Sequence, residues 1–181
     1  MKKLFFISAL VLIFNNSFSQ GLSYGIKGGY NYSTIRAENL NNINGQNGFH
    51  VGVFANLSAI LIQVQPELLF SQRGYAIENG NDYKMNYLEL PVLLKVKVFP
   101  FITVDAGPQF SYLLNTIETS NLINLPAMPS FEKSDLSAVI GTSLNVWKIG
   151  ASLRYVHGFK ELESLNKSKN SMFQLALQIK L

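Results

Sequence analysis

Alternation with period two constrains this chain more than any other feature. Residues 87–98 read YLELPVLLKVKV. Leu88, Leu90, Val92, Leu94, Val96 and Val98 share one parity; Tyr87, Glu89, Pro91, Leu93, Lys95 and Lys97 share the other. Successive side chains of a strand point to opposite faces, so this segment reads as a strand with one aliphatic face and one charged face. The same alternation recurs at 22–32, 49–57, 60–72, 102–114, 136–146, 148–156 and 172–181. No segment has a convincing helical period, and no linker or composition shift marks a second domain. The chain is expected to be a single all-β domain of eight antiparallel strands.

Period two does not say which face is wet. A soluble barrel turns its aliphatic face inward, whereas a membrane barrel turns it toward lipid. The spacing of the connections favours the membrane. Residues 33–48 are a long connection rich in Asn and Gly, followed by a short one at Ser58-Ala59. The loop 73–82 is longer, the turn at Phe99-Pro100 tight, the loop 115–135 the longest, the turn at Trp147 tight, and 157–171 long again. In an antiparallel meander that order puts every long loop at one end, as in outer-membrane barrels with short periplasmic turns.

The aromatics on the aliphatic face are also sorted by position. Tyr30, Tyr32, Phe49, Phe70, Tyr112, Tyr155 and Phe173 adjoin long loops, while Tyr24, Phe99, Phe101 and Trp147 adjoin short turns. Two interfacial girdles account for this. The opposite face is dominated by Gly, Ser, Gln and Asn. Only 14% of the chain is charged, less than a soluble exterior carries. The fold class is therefore an eight-stranded antiparallel up-and-down transmembrane β-barrel. Three prolines interrupt it: Pro66, Pro91 and Pro108 each remove a ladder donor, so bulges or breaks in pairing are expected there.

Residues 1–20, MKKLFFISALVLIFNNSFSQ, have a basic start, an apolar run and a small-x-small site at Ser17-Phe18-Ser19. They read as a signal peptide over 1–19, leaving a barrel domain over 20–181. The formal charge of +4 includes Lys2 and Lys3; the mature balance of about +2 argues against a nucleic-acid partner. The absence of cysteine excludes disulfides and thiolate chemistry.

The lumen is expected to hold Lys27, Glu67, Glu89, Lys95, Lys97, Asp105, Arg154 and Lys180. Charges in so narrow an interior must pair, so they read as a structural ion-pair plug, with Glu67 and Glu89 sharing Lys27 and Arg154. His50 and His157, each near a long-loop end, read as rim residues; a metal site needs more ligands at matched spacing, so no metal or other cofactor is expected. Catalysis by a lipid-modifying barrel would need a His–Ser pair on one outer face; the sequence reading finds none, and the protein is expected not to be an enzyme. The loop 115–135 combines Leu122, Ile123, Leu125, Met128 and Phe131 with two prolines. Apolar residues in an outer loop suggest a binding surface for an extracellular or envelope protein partner, or a lid folded over the barrel mouth; the alternative is a loop packed on itself with no ligand.

Five motifs carry a resemblance: IKGGYNYS near the start, VQPELLFSQRG, YLELPVLLKVKV, AGPQFSYLL and LRYVHG. Together they resemble PorT-like outer-membrane β-barrel proteins, often labelled porin family. The resemblance implies an eight-stranded barrel in a Gram-negative outer membrane. It further implies outer-membrane lipid and the barrel-assembly machinery as partners, with an accessory role in a secretion system for the founding member. The expected function is a non-enzymatic structural or interaction barrel displaying long extracellular loops. The alternatives are a narrow pore for small solutes, an accessory barrel of a secretion system, and a soluble periplasmic carrier with an apolar lumen.

Overall fold

The computed structural model describes residues 21–36, 43–59, 61–77, 81–120, 134–159 and 169–181. Residues 1–20, Ile60 and the loop candidates Leu122, Ile123, Leu125, Met128 and Phe131 lie outside them. The eight strands are β1 (Leu22–Arg36), β2 (Ile43–Ser58), β3 (Ile62–Ile77), β4 (Asn81–Lys97), β5 (Ile102–Ser120), β6 (Ser134–Val146), β7 (Ile149–Gly158) and β8 (Lys169–Lys180). Each pairs antiparallel with the next, and β8 closes on β1. Closure leaves no sheet edge in the bilayer, where an unpaired amide has no water to bind.

The register fixes the stagger. From Leu22 on β1 the ladder passes through Leu57, Val64, Leu94, Ala106, Ile140, Tyr155 and Phe173, and returns to β1 at Tyr32. Leu22 and Tyr32 share a parity, as closure requires: an odd offset would send every outward side chain inward at the seam. An offset of this size in an eight-stranded barrel tilts the strands by about 40° and leaves an interior that side chains fill.

The outer face is apolar. Leu88, Leu90, Val92, Leu94 and Val96 are exposed, while Glu89 is 0% and Lys95 1% accessible. This inversion rules out the soluble carrier with an apolar lumen. Tyr32, Phe173 and Tyr155 stand side by side across β1, β8 and β7, as do Tyr30 and Phe49 across β1 and β2. At roughly 3.3 Å per residue and ~40° tilt, Tyr24 to Tyr32 covers ~20 Å of height, against a typical apolar band of ~25 Å.

The strands extend further toward the long-loop end than the hydrophobic pattern indicates. β1 runs on to Arg36, β2 starts at Ile43, β3 reaches Ile77, β4 starts at Asn81 and β5 reaches Ser120. Alternation reports the lipid, and it stops where lipid stops. Backbone pairing needs no lipid and continues into water.

The prolines break pairing without shifting it. The β2–β3 ladder is open between Phe54↔Glu67 and Leu57↔Val64, beside Pro66. The β3–β4 ladder opens between Pro66↔Val92 and Leu69↔Glu89, beside Pro91; the β4–β5 ladder opens between Pro91↔Gln109 and Leu94↔Ala106, beside Pro108. The register shifts fall elsewhere, between Gly45 and His50 and between Asn86 and Tyr87.

Candidate functional site: a charged lumen closed by ion pairs

Inward-facing positions of β3, β5 and β7 place Glu67, Asp105 and Arg154 in the lower half of the lumen. The guanidinium of Arg154 donates from Nη1 to Glu67 Oε2 at 2.8 Å and from Nη2 to Oε1 at 2.9 Å. Its Nε donates to Asp105 Oδ2 at 3.1 Å. β3 and β7 lie on opposite walls of the closed order, so this one side chain crosses the lumen. Both carboxylates are further satisfied. Glu67 accepts from Lys27 Nζ at 3.2 Å and from Gln65 Nε2 at 2.6 Å. Asp105 accepts from Ser143 Oγ at 3.0 Å, and Lys95 Nζ lies 3.8 Å from its Oδ2 while donating to Gln65 Oε1 at 3.1 Å.

A glycine makes the crossing possible. Gly141 lies between Asp105 and Arg154 in the register. A Cβ there would approach Arg154 Cγ to 2.6 Å and Leu153 O to 2.5 Å. The bare backbone lets the arginine stem lie flat across β6 toward Asp105.

A second cluster stands nearer the long-loop end. Arg73 Nε donates to Glu89 Oε1 at 2.9 Å and Nη2 donates to Ser111 Oγ at 3.2 Å. Its Nη1 is 4.0 Å from Asp135 Oδ2, and its guanidinium carbon sits 4.7 Å from the Tyr87 ring centroid. Between the clusters, Asn31 Nδ2 donates to Ser71 Oγ at 2.9 Å, and its Oδ1 faces His50 Nδ1 at 2.7 Å. Leu93, Val139, Val156 and Met172 form an apolar patch on the lumen wall.

Six of the eight expected lumen charges are buried together: Lys27, Glu67, Glu89, Lys95, Asp105 and Arg154. Lys97 and Lys180 are corrections. They share the inward parity, but Lys97 is exposed and Lys180 half-buried at the short-turn end, where the barrel opens to water. The expected sharing also fails for Glu89, whose partner is Arg73 rather than Lys27 or Arg154. Arg73 escaped the sequence reading because it falls beyond the last strongly apolar residue of β3, in what read as a loop. Its parity with Glu67 and Ser71 was the available signal.

The two histidines part company. His50 is a lumen residue, not a rim residue, because the inward parity of β2 carries it inside. His157 is outward, stacked on Tyr155 at 6.2 Å between ring centroids. It pairs in register with Ser171, so a His–Ser pair does stand on the outer face, contrary to the sequence reading. That serine accepts instead from the Tyr155 hydroxyl at 2.9 Å. No group of three metal-ligating side chains occurs among the described residues.

Comparison with known proteins agrees with this geometry. Residues 14–163 match the family model described as outer membrane protein beta-barrel domain. Neisserial surface protein A has a similar structure, with a TM-score of 0.58 at 11% identity, covering 90% of this chain and 100% of that one. Ail, the attachment invasion locus protein of Yersinia pestis, solved with the heparin analogue sucrose octasulfate, gives 0.52 at 12% identity, over 90% of this chain and 100% of that one. At such identities the likeness concerns the fold alone. No curated protein sequence matches. The chain belongs to the outer-membrane β-barrel domain family, and its place is the outer membrane.

Proposed function

We propose that this outer-membrane barrel is a non-enzymatic interaction protein, displaying its long connections outside the cell around a lumen that does not conduct. The uneven outer rim carries the reading. Among the described residues β5 pairs with β6 from Tyr112↔Ser134 downward, and it continues to Ser120 beside β4. A β-ribbon that stands clear of the bilayer contributes nothing to spanning it, but presents backbone and loops to a partner. The apolar residues of 115–135 make that connection the favoured contact for an extracellular or envelope protein. The cross-lumen bond of Arg154 to Glu67 speaks against the pore alternative.

The partner need not resemble that of Ail. The outer connections 37–42, 78–80, 121–133 and 160–168 carry more acidic than basic residues, a poor match to a sulfated polyanion. An accessory barrel of a secretion system, the role of the founding PorT-like member, is a more particular alternative to this reading. The test joins two measurements on the intact protein. Planar-bilayer recording is expected to show no discrete steps; regular steps would favour a narrow pore. Replacing 119–131 by a short Gly-Ser link is expected to abolish a surface crosslink to the partner while the barrel stays folded. An unchanged crosslinking pattern would refute display through this loop.

A further inference from the structure

We infer that Lys95 and Gln65 form a self-modification site, at which an isopeptide bond assisted by Glu67 and Asp105 staples β4 to β3 inside the lumen. Lys95 Nζ donates to Gln65 Oε1 at 3.1 Å, and the amide nitrogen of the same Gln65 donates to Glu67 Oε1 at 2.6 Å. That contact puts Nζ roughly 3.3–4.3 Å from the amide carbon, close to the separation from which a nucleophile attacks. Asp105 Oδ2 lies 3.8 Å from Nζ. Gln65, Lys95, Glu67 and Asp105 are all buried, so bulk water neither competes for the amide nor screens the carboxylates. In the register Lys95 faces Gln63, which makes Gln65 its diagonal neighbour on the inner face.

Charge gives an independent reason. The lower cluster holds three cations, Lys27, Lys95 and Arg154, against two carboxylates, Glu67 and Asp105. Lys27 and Arg154 make the shorter contacts, so Lys95 is the surplus cation of that cluster among the described residues. An unmatched buried ammonium is destabilising, and converting it to a neutral amide leaves two charges against two. The bond would also fall where pairing is interrupted. Gln65 adjoins Pro66, and the β3–β4 ladder opens just beyond, between Pro66↔Val92 and Leu69↔Glu89.

In the reaction Lys95 passes one proton to Asp105, and Nζ bonds to the Gln65 amide carbon. Glu67, hydrogen-bonded to the departing nitrogen, relays a second Nζ proton to it. The carbon–nitrogen bond of the primary amide breaks, and ammonia leaves, taking the proton from Asp105 as ammonium. One ammonium and one primary amide give one secondary amide and one ammonium ion, with no co-reactant.

The test is mass spectrometry of the full-length barrel folded from urea into vesicles. The bond removes one ammonia, about 17 Da, and should appear after digestion as a branched peptide joining the segments around Gln65 and Lys95. Cyclisation of an N-terminal Gln20 loses the same mass, so the branched peptide, not the intact mass, assigns the bond. The chain kept in urea should give linear peptides only. Lys95→Arg keeps the charge and Glu67→Gln keeps an acceptor; each should give no branched peptide while retaining heat-dependent gel mobility. Linear peptides with unmodified Lys95 from the folded wild type, or a branch joining Lys95 to another side chain, overturn the assignment. A branched peptide that persists in Glu67→Gln overturns the part given to that carboxylate.

Discussion

Replacing Glu67 by Ala should be the most damaging single truncation in the lumen. The carboxylate holds both nitrogens of the Arg154 fork, the Lys27 ammonium and the Gln65 amide. Among the described residues its loss leaves Lys27 with no carboxylate partner and Arg154 with Asp105 alone, through Nε. Removing one partner of a buried pair costs about 3–5 kcal/mol, and here two cations lose it together, so the upper part of that range applies. Glu89→Ala strands one cation, Arg73, which keeps Ser111, Asp135 and the Tyr87 ring. It should cost less, about 2–3 kcal/mol. Glu67→Gln preserves an acceptor oxygen and should fall between wild type and Glu67→Ala. The assay is urea unfolding of the vesicle-embedded barrel, followed by unheated gel mobility. Bilayer conductance of the folded fraction should remain at background, because Arg154 still occupies the crossing. A Glu67→Ala cost below about 1 kcal/mol, or new conductance at unchanged stability, would refute the plug.

Gly141→Val should push Arg154 off Asp105 and lower stability by about 1–3 kcal/mol, seen as a lower midpoint of heat-dependent gel mobility. Leu177→Arg, 65% exposed on the lipid face near mid-height, should cost about 2–4 kcal/mol in vesicles, whereas Val98→Arg at the rim should cost about 0–1. Lys97→Ala and Lys180→Ala should each shift unfolding by less than about 0.5 kcal/mol, since neither joins the ion-pair network. A fluorophosphonate probe should leave Ser171 unlabelled, because its hydroxyl is engaged by Tyr155 rather than activated by His157; labelling lost in Ser171→Ala would reopen an enzymatic role.

The sequence by itself determined the strands, their number and their faces. Each rests on an interaction local to a few residues: alternate side chains meet alternate surroundings, and Gly, Asn and Pro mark the turns. It even settled the inversion, since the aromatics sorted toward the strand ends and the scarcity of outward charge both report on lipid. Only the tertiary structure decided which charges meet. Arg154 and Glu67 are far apart in the chain and come from opposite walls, so their contact depends on closure and stagger, sums over every register in the barrel. The same sums bring Ser171 beside His157 and carry His50 inside. They place Lys97 and Lys180 at the open mouth although their parity matches Lys95, because parity gives the direction of a side chain and not its height. Arg73 shows the complementary limit: the apolar signal ends with the bilayer, while the strand and its buried ion pair continue past it.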